Sequence, residues 1–341
     1  MSLWTEEEVT LVTKNFSLGK TAQEIKDILI ENKMVRSLEA IKKQCRTLQD
    51  KTEVEVRKFI DDLSKVKASS KQTSVPTIKS DRSLLVHFSD THFGKVVKNL
   101  KRVVLFDSKI AKLRMEHVFA KAEELVLDKK IDDIVVILGG DLVENDLIFP
   151  AQQHHIDNPV ITQTKEAIEA VWAGLQRLSD ISNVRVVCVR GNHGRLKGTT
   201  SSEETSWDEV IHNTIEILAK ESKRNITVST TPWEVNLFNI QGWTCMLRHG
   251  GPPAASSAAA KAKYGNWYKM HKYDFVIFGH LHSPGWFDWQ GAPVFRNGSF
   301  ADVDDYVENL SYDGKPCQLL YIITRDSLPE SIHPIWLEKI K

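Results

Sequence analysis

The sequence has few cysteines, no long apolar run and no excess of charge of either sign. Its four cysteines are scattered over 341 residues without a C-x-x-C pair, which argues against a disulfide-dense secreted scaffold and against a thiolate zinc site. Its longest apolar runs, such as Ile134–Leu138, are far shorter than the roughly 20 residues that cross a bilayer. The N-terminus is acidic where a signal peptide is basic and then apolar. We therefore expect a reduced, cytoplasmic protein without a membrane partner.

Charge is distributed unevenly along the chain. Residues 33–82 carry 13 basic and seven acidic side chains, whereas the part after residue 82 carries 29 basic and 32 acidic ones. Residues 63–82 are rich in Ser, Thr and Lys and show no periodic apolar face, which indicates a solvated linker. The length fits about two domains. We predict a helical module over 1–62, a linker over 63–82 and a larger domain over 83–341.

Three short amphipathic helices are predicted before the linker from their capping residues. Thr5 with Glu8, and Thr21 with Glu24, fit the S/T-x-x-E capping box. Ser37 is suited to cap a third helix, whose apolar residues recur at helical spacing. Three helices in about 50 residues, with the last one basic, fit a helix-turn-helix arrangement.

The opening W-T-E-E-E and the segments at residues 21–25 and 36–41 also resemble Myb/SANT-type helix-turn-helix modules. The resemblance covers residues 1 to about 50, although such modules usually carry several spaced tryptophans and only Trp4 is present here. It implies DNA binding through the basic residues of the third helix, which are Lys42, Lys43 and Arg46. The alternative is a bundle for docking or oligomerisation that exposes these residues to solvent.

The pattern changes at residue 84, where buried-strand runs begin to alternate with amphipathic helices. Helices are predicted around 107–129, 161–180, 206–222 and 254–270, and strands at 84–88, 134–138, 184–189, 225–229, 233–239, 243–248 and 275–278. Shorter strands follow to the end of the chain. Strands interleaved with helices, followed by a β-rich final third, predict an α/β fold with two packed sheets.

Asp, Asn and His residues follow five of these predicted strands, and each group has a glycine nearby. The five groups are Asp90-Thr91-His92, Gly140-Asp141, Gly191-Asn192-His193, His249-Gly250 and Gly279-His280-Leu281-His282. The ends of strands are where α/β folds place their sites, and glycine lets a turn bend sharply beside a bound ion or phosphate. Oxygen and nitrogen donors of this kind suit Mn²⁺, Fe²⁺ or Zn²⁺.

The order D-x-H, G-D, G-N-H, H and G-H-x-H resembles the motif series of the calcineurin-like metallophosphoesterases, over about residues 83 to 300. The resemblance implies a two-sheet sandwich flanked by helices, in four αββα layers, after the small three-helix domain. It also implies two divalent ions, with Mn²⁺ expected before Fe²⁺, Zn²⁺ or Ni²⁺. Two ions about 3.5–4 Å apart can activate a bridging water as hydroxide and neutralise the phosphate under attack.

The same resemblance assigns roles to individual residues. One ion would take Asp90, His92, Asp141 and His282, and the other would take Asp141, Asn192, His249 and His280. Asp141 would therefore bridge the two ions. His193 would stay off the metals and protonate the leaving oxygen as general acid.

Two positions depart from the commoner pattern. Many relatives place an acid after the G-N-H histidine, where it can hold the ring, but Gly194 stands there. The group that orients His193 must therefore come from elsewhere. SbcD-type repair nucleases often carry a histidine three residues after the bridging aspartate, where this chain has Glu144, so membership of that subgroup is weakened.

The favoured hypothesis is a two-metal phosphodiesterase that acts on DNA, of the kind found in phage or prophage DNA metabolism, with the basic arm as its DNA-binding element. Arg195, His154 and His155 are candidate substrate contacts. Two alternatives remain: a phosphatase or phosphodiesterase acting on phosphoprotein, nucleotide or another small phosphoester, and a catalytically silent DNA-binding scaffold. Nothing in the sequence indicates an oligomer.

Overall fold

The computed structural model describes ten segments of the chain, at residues 4–17, 20–47, 80–99, 101–146, 148–149, 152–196, 206–231, 233–251, 258–302 and 315–341. The chain divides into two compact units, Met1–Lys67 and Ala68–Lys341. Of the predicted linker over 63–82, only the last three residues lie within the described segments.

Among its described residues, the N-terminal unit contains three helices: α1 (Glu6–Ser17), α2 (Ala22–Glu31) and α3 over residues 38–47. Thr21 and Glu24 form a complete capping box at the start of α2, and the Ser37 hydroxyl accepts a hydrogen bond from the third residue of α3. These caps satisfy amide groups that the first helical turn leaves without partners. The apolar faces meet in a small core of Val12, Ile25, Leu29, Ile41 and Cys45.

A nearly buried ion pair fixes the chain between α2 and α3 against α1. The Arg36 guanidinium donates to the Glu8 carboxylate with Nε 2.7 Å from Oε1, and it lies 4.8 Å from the centroid of the Trp4 ring. The hydrogen bond from Arg36, together with one from the Thr5 amide, lowers the pKa of Glu8 to about 2. A single tryptophan therefore has a defined packing role in this small core.

The larger unit contains thirteen strands and four α-helices among its described residues. The strands are β1 (Arg82–Phe88), β2 (Val97–Lys98), β3 (Val104–Phe106), β4 (Asp133–Leu138), β5 (Asn183–Cys188), β6 (Ile226–Ser229), β7 (Val235–Ile240), β8 (Trp243–Arg248), β9 (Phe275–Phe278), β10 (Gly285–Trp289), β11 (Ala292–Arg296), β12 (Cys317–Thr324) and β13 (Ser331–Trp336). The helices are α4 (Ser108–Lys129), α5 (Val160–Ser179), α6 (Trp207–Ser222) and α7 (Ala258–His271). The predicted helices and strands all occur, with ends shifted by a few residues.

The strands form two large sheets and one short ribbon. The first sheet has the order β13-β12-β1-β4-β5-β6. Strands β1, β4, β5 and β6 are parallel, and β12 runs antiparallel to both of its neighbours, β1 and β13. The second has the order β10-β11-β9-β8-β7, in which β8, β9 and β11 are parallel. Strands β2 and β3 form the ribbon.

The two sheets pack face to face through a buried apolar cluster. Side chains such as Leu85 and Ile137 from the first sheet meet Ile277 and Phe295 from the second. Helices α4, α5 and α6 pack beside one another against the first sheet, and α7 covers the other face of the second sheet through Tyr264 and its neighbours. The result is the predicted α/β sandwich of two sheets flanked by helices. No helix within the described segments is both long and apolar enough to cross a membrane.

One buried arginine connects helix α4 to residues 300–302, which contact the loop after β1. Arg114 is fully buried, donates to the carbonyls of Phe300 and Ile340, and lies 2.9 Å from the carboxylate of Asp302. The Phe300 amide in turn donates to the carbonyl of Asp90 at 3.0 Å. Removing one partner of a buried ion pair lowers the free energy of unfolding much more than removing one partner of an exposed ion pair.

We therefore predict that Arg114→Met lowers the free energy of unfolding by about 3–5 kcal/mol. Lys112→Met, on the same helix, is the matched control because its ion pair with Glu166 is partly exposed, and it should cost about 0–1 kcal/mol. Urea unfolding followed by tryptophan fluorescence measures both. Equal losses in the two variants would show that burial of Arg114 does not govern the stability of this segment.

Candidate metal centre

The loops after five strands converge at one end of the sandwich and bring the seven predicted ligands together. Parallel strands end at the same edge of a sheet, so residues that follow them become neighbours. The residues are Asp90 and His92 after β1, Asp141 after β4, Asn192 after β5, His249 after β8, and His280 and His282 after β9. Donor atoms of six of them fall into groups that span no more than 4.8 Å, and Asn192 reaches the His249 ring at 3.2 Å.

The first group contains Asp90, His92 and His282. The Nε2 atoms of His92 and His282 are 3.1 Å apart, and Nε2 of His282 is 3.4 Å from Oδ1 of Asp90. Two imidazole nitrogens and a carboxylate oxygen that face one another at these distances form a set of donors for a single cation.

The second group contains Asp141, His249 and His280, with Asn192 beside it. Oδ2 of Asp141 is 2.9 Å from Nε2 of His249, and the same nitrogen is 3.2 Å from Oδ1 of Asn192. Asp141 also forms a third group with His92 and His193. Since Asp141 is close to both sets of donors, it is placed as a bridging ligand would be.

Contacts on the far side of two imidazole rings fit metal binding. Nδ1 of His249 lies 2.8 Å from the carbonyl oxygen of Gly139, and Nδ1 of His92 lies 2.9 Å from Oε2 of Glu144. A proton placed on each Nδ1 leaves the Nε2 lone pair directed at the centre, which is the arrangement that metal-binding histidines require. The residues present therefore fit two divalent cations.

Carboxylates and histidine rings at the centre shift one another's pKa values. Burial disfavours the charged form of Asp141, but His249 and His193 outweigh it and keep the pKa of this carboxyl well below its usual range. For His249, burial is likewise outweighed by Asp141 and Asp90, and its pKa rises to about 10. The carboxylates that attract this proton are the same ones that would attract a metal ion.

The backbone of the site is strained. Five candidate ligands have positive φ angles, namely Asp90 (55°), His92 (45°), Asp141 (53°), His280 (70°) and His282 (55°). Gly140 has φ 88°, and a Cβ built on it would lie 2.5 Å from the Gly191 amide nitrogen. Left-handed backbone in non-glycine residues costs of order 1–3 kcal/mol each and persists where function requires it. The close approach of these loops thus demands glycine at residue 140.

Glu144 is the group that orients His193, and the sequence alone did not identify it. Nδ1 of His193 is 3.3 Å from Oε2 of Glu144 and 3.1 Å from its carbonyl oxygen. Burial opposes the charged form of His193, but Asp141 and Glu144 raise its pKa to about 9. In the sequence, Glu144 was noted only because SbcD-type nucleases often have a histidine at that place. Its position three residues after Asp141 was the signal that could have identified it as a partner of His193.

Asp208, at the start of α6, is a second residue that sequence reasoning missed. Its fully buried carboxylate accepts hydrogen bonds from the amides of Asp141 (3.1 Å), Leu142 (3.0 Å) and Gly191 (2.8 Å). These amides belong to the loops after β4 and β5. One carboxylate therefore holds the backbone of the bridging aspartate and that of the G-N-H loop in a fixed relation.

The same carboxylate fills the space beside Gly194. A Cβ built on Gly194 would lie 2.6 Å from Oγ of Ser206 and 3.0 Å from Cγ of Asp208. An acidic side chain at residue 194 would therefore extend into the volume that Asp208 occupies. A carboxylate from 14 residues further along the chain thus lies where a side chain on residue 194 would extend.

Three further predicted residues of the larger unit, Arg195, His154 and His155, are not among the grouped donors. Arg195 is exposed, and its guanidinium lies 5.6 Å from the centroid of the Phe149 ring. His154 and His155 are exposed at the short 3₁₀ helix Gln152–His154. In the N-terminal unit, three basic side chains are exposed on α3, namely Lys42, Lys43 and Arg46.

A family model matches the part of the chain that contains this centre. The family model for calcineurin-like phosphoesterases matches residues 84–284, which is more than half of the chain. A comparison with the curated proteins finds no match.

Among solved structures, the chain is similar to an archaeal phosphodiesterase at 13% identity and a TM-score of 0.35, covering 75% of this chain and 99% of that one. It is similar to Vps29 with Zn²⁺ from Entamoeba histolytica at 13% identity and a TM-score of 0.34, covering 75% and 99%. It is also similar to a hypothetical protein from Pyrococcus horikoshii OT3 at 14% identity and a TM-score of 0.40, covering 74% and 87%.

We predict that Asp141→Asn weakens metal binding at both positions and abolishes turnover. An amide cannot supply the anionic charge that the two cations share, and it offers one oxygen in place of two. Elemental analysis and metal titration of the purified variant measure the loss directly. Two tightly bound ions in this variant would refute the bridging assignment.

We also predict that Asp208→Ala lowers metal affinity or activity by about 10- to 100-fold, the usual effect of removing a group that positions ligands. Gly194→Asp alone should also be harmful, since its side chain would collide with Ser206 and Asp208. Combined with Asp208→Ala, however, Gly194→Asp should restore part of the loss, because a carboxylate returns to the vacated space. A double variant no better than Asp208→Ala would contradict this exchange; metal titration and thermal unfolding of all three variants decide it.

Proposed function

This chain belongs to the calcineurin-like phosphoesterase family, and we propose that within this family of metal-dependent phosphoester hydrolases it is a two-metal phosphodiesterase that cleaves DNA. One observation carries the proposal: candidate donors for two cations lie together beside His193, and the Glu144 carboxylate lies next to the His193 ring. Cofactor and reaction class follow from that set, while DNA as substrate follows from the exposed basic side chains of α3.

The residues of the centre have separate tasks in hydrolysis. When bound, the two cations would supply Lewis acidity, activate water and neutralise charge on the phosphate. Asp141 and the other six donors would hold the cations, with Mn²⁺ the first to test among Fe²⁺, Zn²⁺ and Ni²⁺. His193, kept protonated beside Glu144, would donate its proton to the leaving oxygen.

Charge supports DNA as the substrate. The part of the chain after residue 82 carries 29 basic and 32 acidic residues, so it has no overall attraction for a polyanion. The exposed basic side chains of α3 would provide that attraction, and a tether raises the concentration of a bound partner at the site. The caps and core of the N-terminal unit support a Myb/SANT-like helix-turn-helix arm, and the combination suits phage or prophage DNA metabolism in the cytoplasm.

The test compares labelled single- and double-stranded DNA with bis-p-nitrophenyl phosphate over a panel of divalent metals. Full-length protein should cleave both classes with Mn²⁺.

His193→Ala should keep two bound ions, because His193 is not a ligand, and its rate of hydrolysis should fall by about 10²- to 10⁴-fold. The triple variant Lys42→Ala, Lys43→Ala, Arg46→Ala should lose DNA turnover only, and its binding should depend less on salt, by a log–log slope of about 2.7 if each side chain contacts one phosphate.

A second triple variant provides the matched control, since it removes the same charge from exposed lysines of the larger unit: Lys109, Lys129 and Lys220. It should leave DNA turnover and its salt dependence nearly unchanged. Hydrolysis of the small diester without cleavage of DNA at any salt concentration would favour a small phosphoester as substrate. Two bound ions without hydrolysis of any substrate would favour a silent scaffold.

A further inference from the structure

Two buried side-chain amides organise the loop after β4. Gln152 is 5% exposed. Its Oε1 accepts hydrogen bonds from the amides of Ile148 (2.9 Å) and Phe149 (3.1 Å), and its Nε2 donates to the carbonyl of Glu144 at 2.6 Å. One side chain thus fixes Phe149 relative to the carboxylate that orients the general acid.

Asn145 connects this loop to the one after β5. It is 3% exposed and has φ 73°. Its Nδ2 donates to the carbonyls of His193 (2.7 Å) and Arg195 (3.0 Å). Through the two amides, Glu144, Phe149, His193 and Arg195 belong to one hydrogen-bonded assembly.

This assembly forms an aromatic and cationic wall that begins at the metal centre. The His193 ring contacts the ring of the ligand His92, with centroids 4.6 Å apart, and the ring of Phe149, with centroids 4.9 Å apart. Phe149 is 39% exposed, and the Arg195 guanidinium lies over it. The Phe149 ring belongs to the same hydrogen-bonded assembly as His193 and is exposed to solvent. It is therefore available to contact a substrate.

Chemistry determines which part of a substrate lies there. Hydrolysis breaks the bond between phosphorus and the leaving oxygen; water supplies the oxygen that phosphorus gains, and His193 supplies the proton that the leaving oxygen takes up. A general acid works within hydrogen-bond reach of that oxygen. The leaving group is therefore the part of the substrate that lies beside His193 and its neighbour Phe149.

We propose that Phe149 and Arg195 form a leaving-group subsite that stacks on a nucleobase and binds the following phosphate. The inference rests on the proposed function and deepens it, because it names a nucleotide on the leaving side of the scissile bond. Aromatic rings stack on bases of any identity, and an arginine fork suits a phosphate. The side chain of a phosphoserine or phosphothreonine offers no such planar group.

The experiment uses thymidine dinucleotides in which one or the other base is removed, with metal-loaded full-length protein. The products identify the leaving side. Loss of the base on that side should lower kcat/KM of the wild type by about 10-fold, which is typical of one stacked base, with most of the change in KM. Loss of the other base should have little effect.

Phe149→Ala and Phe149→Leu should both lose this preference, and Phe149→Trp should keep it. The leucine variant retains apolar volume, so it separates stacking from packing. Trp336→Ala, which removes another exposed aromatic ring from β13, is the matched control and should behave as wild type. An added phosphate on the leaving side should raise kcat/KM of the wild type for the intact dinucleotide. Arg195→Gln should reduce that increase.

The outcomes distinguish this inference from the function on which it rests. Cleavage of intact and base-free dinucleotides at equal rates, unchanged in Phe149→Leu, would overturn the subsite and leave the phosphodiesterase function standing. Failure to cleave any dinucleotide or DNA, with hydrolysis of p-nitrophenyl phosphate intact, would overturn both.

Discussion

The larger unit keeps the carboxylate of Asp141 ionised and almost completely buried, and most of the site depends on that constraint. A buried carboxylate is costly unless opposite charges and hydrogen bonds surround it. The His193 amide donates to Oδ1 at 2.6 Å, the His249 ring lies at Oδ2, and Asp208 holds the aspartate's own amide. Loops from both sheets must come close to provide this, which explains the positive φ angles and the need for glycine at residue 140.

The sequence predicted the parts of this protein that depend on local patterns. Alternating apolar runs identified the strands and helices. The capping box of Thr21 and Glu24 identified the start of α2, and Ser37 before an apolar helical periodicity identified the start of α3. The candidate ligands were identified because each lies a few residues after a strand and their order matches a family. Glu144 and Asp208 escaped because they act on residues 49 and 67 positions away, a distance at which no periodicity connects them. An acid at the start of α6 also has a sufficient local explanation, since acids favour first helical turns.

Under the proposed function, the residues that would provide chemistry are separate from the residues that would select substrate. The candidate metal donors come from short turns directly after the strands, and Asp208 at the start of α6 holds two of those turns through their amides. Phe149 and Arg195 come from more exposed parts of two of those loops, where Gln152 accepts from the amide of Phe149 and Asn145 donates to the carbonyl of Arg195. Substitution there should change specificity with little cost to the centre, which is how one family can serve many phosphoesters.

The position of β12 in the first sheet has a consequence for synthesis. Strand β1 pairs with β4 on one side and with β12 on the other, but β12 begins about 230 residues after β1 ends. At roughly 5–20 residues per second, the ribosome needs about 10–50 s to make that stretch. During this interval one edge of β1 has no partner in the sheet. The nascent chain therefore carries an open, strongly apolar strand edge for most of its synthesis, and cover by a chaperone would be most valuable then.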